Sequence, residues 1–377
     1  MDRTPEKILI VAGEESGDMR AASLVREILA LRPGTRFIGI AGEHCRKEGV
    51  ETFTDITELA VIGFTEVLRN IIRIKRVFDQ TLEHARRERP GLAILVDYPG
   101  FNLRLAGELK KLGIKVVYYI SPQVWAWKES RVGLIKKTVD RMMVLFPFEK
   151  DLYARHGFTA DLVGHPLVDE VKPSIPRDAF LKQLGLDGTK PVIGLLPGSR
   201  RKEVTRHVPV MLEAARLIRQ ELPGTQVILL KTKNLDRQVF LPDGSSVPEG
   251  LTFCEDYYNA LNACDAAIVC SGTATLETGL MGKPMVVIYK TSWLTWLVAR
   301  IVIKIPHIAL INIVAGKKIV EELLQENASA RNIANSLLET LEPSRNAAIR
   351  QDLDRARDLL GARGASRRAA AVVISEL

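Results

Sequence analysis

The sequence predicts an α/β protein made of two doubly wound domains facing each other across a cleft, with helices at the C-terminus. Three observations predict it. Apolar runs alternate with amphipathic helical patterns nearly throughout, as parallel strands joined by crossover helices require. The pattern pauses at Val171-Lys172-Pro173-Ser174-Ile175-Pro176, two prolines in a short polar stretch, and then restarts. Each half also opens on an apolar strand followed at once by glycine and small polar residues. A length of 377 residues favours two domains over one.

In the first half, strands are expected near Ile8–Ala12, Arg36–Ile40, Leu92–Asp97, Lys115–Ile120, Arg141–Leu145 and Ala160–Val163, with helices such as Ala21–Leu31 and Leu103–Leu112 between them. In the second, strands are expected near Val192–Leu196, Gln226–Lys231, Leu251–Cys254, Ala266–Cys270 and Met285–Ile288. Helices follow at Val204–Leu222 and Thr273–Met281. Beyond Gly316 the chain reads as helix only. The expected division is 1–170, 171–345 and a helical 346–377 that either returns to the first domain or exchanges with a partner chain in a homodimer.

Composition narrows the function. Hydrophobic residues make up 46% and charged residues 26%, the balance of a chain with sizeable cores. A formal charge of +8 is modest and compatible with nucleic acid, anionic lipid or phosphorylated substrates. The cations are dispersed and no nucleic-acid module is recognisable, which makes nucleic acid the poorest fit. Cys45, Cys254, Cys264 and Cys270 show no metal-type spacing and suit a reducing cytoplasm. Ile8–Ala12 is too short for a signal-peptide core. The most apolar stretch, Trp293–Ile313, is interrupted by Arg300, Lys304, Pro306 and His307, whereas a bilayer crossing needs roughly 20 apolar residues. A soluble or peripheral protein is expected.

In doubly wound sheets ligands sit at the C-terminal ends of strands. Gly198, Ser199 and Arg200 occupy such an end, where glycine lets backbone N–H groups approach a phosphate and a guanidinium adds a bidentate fork. An ordinary turn with an exposed arginine is the alternative. Cys270 to Glu277, with Gly272, repeats the arrangement in the same domain: Ser271 or Thr273 can cap the next helix, whose free N–H groups face any anion placed there. Glu277 lies one turn inside, where a carboxylate can accept two ribose hydroxyls or simply stabilise the helix start. Two such strand ends beside a carboxylate suit a nucleoside diphosphate. Neither Gly-x-Gly-x-x-Gly after a strand nor Gly-x-x-x-x-Gly-Lys-Ser/Thr occurs, which disfavours a dehydrogenase or a P-loop ATPase. Asp352-Leu353-Asp354 lies in a charged late helix as a solvated face, and no metal site or cofactor is expected.

In the first half, Leu92 to Asn102 places Asp97 where a buried strand meets its loop, a position suited to a catalytic base or to a structural carboxylate bonding loop amides. Asp18 reads as a helix cap. Ser121 to Lys128 carries Trp125 and Trp127, either an aromatic wall for a sugar or acyl chains or a packed corner, with Arg131, Lys136 and Lys137 following. Val67–Phe78 and Trp293–Ile305 mix apolar residues with cations at near-helical spacing. Each is a membrane-surface helix or a core helix with snorkelling cations.

These segments together resemble the lipid-A-disaccharide synthase family. The matching residues are Ala12 to Asp18, Asp97 to Asn102, Ser121 to Trp127, Phe146 to Glu149, Val163 to Pro166, Leu196 to Arg200, Ser271 to Glu277 and Asn312 to Gly316, in order across about residues 7 to 340. The segment Ser-Pro-Gln-Val-Trp-Ala-Trp is the most specific. The resemblance implies a GT-B fold of two Rossmann-like domains and an inverting, metal-independent glycosyltransferase of lipid A biosynthesis. That enzyme moves 2,3-diacylglucosamine from its UDP donor to 2,3-diacylglucosamine 1-phosphate, at the cytoplasmic face of the inner membrane in Gram-negative bacteria. It also implies roles. Asp97 would be the general base, and Arg200 with Gly198, Ser199 and Ser271–Thr273 would hold the departing UDP. Glu277 would bind the ribose, and Asn312 would lie near the nucleotide. Beside these implied roles, Ser16, Trp125, Trp127, Ile71 and Ile72 are candidates for contact with the acceptor and its lipid. Another GT-B transferase or 2-epimerase, or a non-catalytic nucleotide-sugar or lipid-binding protein, would share parts of this pattern.

Overall fold

The computed structural model describes the chain except residues 1–5, 60–69, 128, 233, 242–247, 249, 294–295, 298–299 and 301–304; Trp127 is described by its backbone. The chain forms two compact units, Met1–Pro166 with Ala362–Leu377, and Leu167–Gly361.

The first unit is built on strands β1 (Lys7–Ala12), β2 (Arg36–Ala41), β3 (Glu51–Asp55), β4 (Leu92–Val96), β5 (Lys115–Tyr119), β6 (Arg141–Val144) and β7 (Ala160–Leu162). All pair in parallel, in the order β3-β2-β1-β4-β5-β6-β7. The aliphatic runs Ile8–Ala12 and Leu92–Val96 are wholly buried, as central parallel strands must be. The order reverses between β1 and β4, paired from Ile8–Leu92 to Ala12–Val96. Their C-terminal ends therefore open at the crevice where such sheets bind ligands. Helix Glu15–Leu31 turns Ala21, Leu24, Val25 and Ile28 inward at helical spacing. The C-terminal helix Ala365–Ser375 packs on it and buries Ala365, Ala369 and Val373. Arg368 Nε donates to the Val163 carbonyl at 2.8 Å, which fastens the chain end to this unit.

The second unit carries β8 (Val192–Leu196), β9 (Gln226–Leu230), β10 (Leu251–Cys254), β11 (Ala266–Cys270), β12 (Met285–Tyr289) and β13 (Glu321–Leu324), parallel in the order β10-β9-β8-β11-β12-β13. Its reversal lies between β8 and β11. Helix Arg201–Glu221 buries Val204, Val208, Met211, Ala215 and Ile218 against this sheet's core. Val171–Pro176 lies within this unit, and Asn259 Oδ1 accepts the N–H groups of Ser174 and Ile175 there, each at 2.9 Å.

Several expectations are corrected. The stretch beyond Gly316 is not helix only, because β13 intervenes. Its sequence Glu-Glu-Leu-Leu has no apolar run to announce a strand, and it forms at the sheet edge with Leu323 alone fully inside. The opposite edge of the first sheet, β3, is equally polar and was not expected. The helix expected from Ala21 starts at Glu15, so Asp18 is not its cap. Asp18 is buried inside it and accepts the N–H groups of Gly42 and His44, at 2.6 and 2.9 Å, at the start of helix Glu43–Lys47. The four cysteines are buried free thiols. Asp352 pairs with Lys317 at 2.8 Å and Asp354 with Arg357 at 2.8 Å, as a solvated face would. Among the described residues no helix is long and apolar enough to cross a membrane.

Candidate active site

The reversal point of the second sheet opens into a cavity of about 450 Å³. It gathers Gly198, Ser199 and Arg200 from the end of β8, Ser271, Gly272 and Thr273 from the end of β11, and Glu277. Gly198 is required twice over. Its φ is +110°, and a Cβ there would lie 2.7 Å from Glu203 Oε2. Glu203 faces back to Arg200, accepting from its Nη1 at 3.2 Å. With Arg200 58% exposed, that pair is weak, so the guanidinium can turn to an anion at little cost.

Neither Ser271 nor Thr273 caps helix Thr273–Leu280, contrary to expectation. Ser271 Oγ donates to the Ile308 carbonyl at 3.0 Å, and the N-cap position is Gly272, at φ +147°. The helix therefore starts at the cavity wall without a side-chain cap, where its free N–H groups and dipole favour negative charge. Glu277 Oε1 accepts from the Tyr258 hydroxyl at 3.0 Å, and the Tyr257 hydroxyl bonds the same carboxylate. Tyr257, Tyr258, Glu203 and Thr232 line the cavity but had no motif to reveal them; only the aromatic pair just after β10 hinted at a strand-end wall.

A second layer holds these ends in place. Asn312 is fully buried and does not line the cavity. Its Oδ1 accepts from Ile319 N and Val320 N, at 2.8 and 3.0 Å, and its Nδ2 donates to Val320 O and Glu322 Oε1, at 2.9 and 2.7 Å. Glu322 in turn accepts from Ile308 N and Ala309 N, and Ile308 O receives the Ser271 hydroxyl. Asn312 thus reaches the cavity through three intermediaries. On the other strand, buried His207 bonds the Pro197 carbonyl through Nδ1 at 3.1 Å and accepts Lys290 N–H through Nε2 at 3.0 Å. The acceptor role fixes a neutral ring protonated on Nδ1, and burial lowers its pKa.

In the first unit, Asp97 directly follows β4 with φ +46°, and Tyr98 comes next at φ +46°. Two consecutive left-handed residues cost about 1–3 kcal/mol each and persist only where the surroundings hold them. Asn102 Nδ2 donates to the carbonyls of Val96 and Asp97, at 3.1 and 2.8 Å, and the Tyr118 hydroxyl to that of Asp97 at 2.6 Å. Gly13 leaves room for the Tyr98 ring, which a Cβ would meet at 2.3 Å. The Asp97 carboxylate opens to solvent from a recess; surrounding protein, then the Glu14 charge, push its pKa up to about 6. Ser16 is exposed on the first turn after β1, the neighbouring strand.

The next strand end is strained as well, with Ile120 at φ +69°. Beyond it Trp125 packs edge-on against Phe148, with centroids 5.3 Å apart, and donates Nε1 to Glu149 Oε1 at 3.2 Å. Phe146 stacks on Phe148 at 5.2 Å and lies 5.4 Å from the His165 ring, so three of the sequence segments meet. Helix Ile71–Glu88 buries Val77, Leu82 and Ala85 while Ile71 and Ile72 stay 54% and 75% exposed. Residues 67–69 of the expected basic stretch lie outside the described residues, as do 294, 295, 298, 299 and 301–304 of the second, and the Trp127 side chain.

A family model described as lipid-A-disaccharide synthetase matches residues 8–375. The chain belongs to the lipid-A-disaccharide synthase family. Synthases of this name from Trichlorobacter lovleyi and Geobacter sulfurreducens are each 44% identical, over 375 and 378 residues. The alignments cover 98% and 100% of this chain and 97% and 98% of theirs. The chain is accordingly a glycosyltransferase of lipid A biosynthesis. Among solved structures, the glycotransferase of kitacinnamycin matches with a TM-score of 0.65 at 16% identity, covering all of both chains. A UDP-GlcNAc 2-epimerase from Neisseria meningitidis matches at 0.61 and 13%, covering 98% of each. At these identities the likeness is one of fold, and the fold is GT-B.

Proposed function

We propose that the chain transfers 2,3-diacylglucosamine from UDP-2,3-diacylglucosamine to 2,3-diacylglucosamine 1-phosphate, with Asp97 as general base and the second-unit cavity holding UDP. The acceptor's 6-hydroxyl gives its proton to Asp97 as its oxygen bonds the anomeric carbon. The bond from that carbon to the diphosphate breaks, and UDP departs with the electron pair, inverting the centre. The carrying observation is the cavity at the β8/β11 reversal, with an uncapped helix start, an arginine free to turn and a carboxylate one turn in. Preorganised donors of this kind stabilise the charge that develops on a leaving diphosphate. For Asp97 the support is a rigid strand end and a pKa of about 6, ionised at neutral pH yet basic enough to accept a proton.

Both substrates carry acyl chains, and the exposed apolar residues fit that need. Ile71 and Ile72 stand beside Lys75 and Arg76, and Trp293 is 71% exposed. Apolar residues rimmed by cations suit an anionic membrane surface. The test is incubation of the purified protein with both lipids in detergent, following UDP and disaccharide by mass spectrometry. Acceptor-dependent formation of both supports the reading; UDP without disaccharide, or neither product, rejects it.

A further inference from the structure

We propose that Thr232 is a specificity-determining contact of the UDP cavity, its hydroxyl meeting the polar edge of the donor's nucleobase. The inference rests on the reading of that cavity as the nucleotide site and adds to it the place and recognition of the base. Among the described residues Thr232 Oγ1 is buried and has no hydrogen-bond partner, yet the residue lines the cavity. Neighbouring buried hydroxyls are not left this way. Thr275 Oγ1 donates to Gly272 O at 2.8 Å and Thr278 Oγ1 to Ala274 O at 2.7 Å. A buried hydroxyl without a partner is destabilising, and a ligand group that pairs with it removes that penalty on binding.

Topology says which part of the ligand arrives there. The anion-holding ends belong to β8 and β11, and Glu277 marks the ribose. Glu277 is bonded to Tyr258, on the helix after β10, and Thr232 follows β9. In the order β10-β9-β8-β11 these elements lie on the side away from β11. A nucleotide laid from diphosphate to ribose therefore continues toward Leu230, Thr232 and Tyr257 with its base. An aliphatic and an aromatic side chain suit the faces of a planar ring, and a hydroxyl can donate to a ring carbonyl or accept from a ring N–H. A pyrimidine edge offers both.

Calorimetric titration of wild type, Thr232→Val and Thr232→Ser with UDP, and with ribose 5-diphosphate, which lacks the base, tests this. Thr232→Val should weaken UDP about tenfold, the effect of one buried hydrogen bond left unmade. It should leave ribose 5-diphosphate within about twofold, and the serine variant should bind UDP like wild type. The ligand-free valine variant should melt no lower than wild type, because it loses an unpaired hydroxyl. Thr232→Ala, which adds no bulk, should give the same split between the two ligands if valine perturbs folding. Unchanged UDP affinity in both the valine and alanine variants, or equal losses for the two ligands, overturns the proposal. Wild-type protein that binds neither ligand overturns the nucleotide reading itself.

Discussion

At the scale of single residues, the second-unit cavity depends on backbone that only certain side chains allow. Gly198→Ala would force a Cβ onto Glu203 at a left-handed φ, and should cost about 1–3 kcal/mol in stability with a matching loss of UDP affinity. Thermal melts and titration with UDP check both. For Asp97, the pKa of about 6 implies that kcat/KM rises with pH and levels off above that value, because the base must be ionised. A rate profile flat from pH 5 to 8 contradicts the assignment. Gly198, Arg200 and Asp97 were legible in the sequence because small or charged residues directly after aliphatic runs mark strand ends. Thr232, Tyr257 and Glu322 were not. Thr232 and Tyr257 reach the cavity only through the fold, and Glu322 acts through Ile308 and Ala309; no local pattern records either.

At the scale of elements, the aliphatic central strands were readable, whereas the polar edge strands β3 and β13 were hidden by their lack of an apolar run. Asn102 shows how an element serves a site: from the first turns of helix Pro99–Lys111 it clamps the carbonyls on either side of the β4 terminus. Asn102→Ala should cost about 1–3 kcal/mol and lower kcat while leaving UDP affinity unchanged, measured by denaturation, turnover and titration. An unaltered kcat would mean the strained strand end does not need the clamp. Helix Ile71–Glu88 carries the membrane proposal. Arg73→Glu with Lys75→Glu should reduce sedimentation with anionic vesicles and leave neutral vesicles unaffected; unchanged sedimentation rejects a role for this face.

At the scale of the whole molecule, two sheets with the same reversal place one set of groups on each unit. Asp97 and Ser16 lie at the β4 and β1 ends, and the cavity proposed to hold UDP at the β8 and β11 ends. Stability should reflect the buried neutral histidines. His207, lowered by burial, binds fewer protons folded than unfolded, so its contribution is present above the unfolded value of about 6.5 and is lost as pH falls below it. Burial lowers His165 to about 3, with the same sign. Denaturation from pH 8 to 5 should show wild type losing more stability than His207→Gln.

If the two units divide the labour in this way, UDP affinity and turnover should separate in Asp97→Ala and Arg200→Ala. Asp97→Ala should lower turnover by about 10²–10⁴ with UDP affinity unchanged, whereas Arg200→Ala should lose both. UDP binding that depends on Asp97, or that ignores Arg200, contradicts the account.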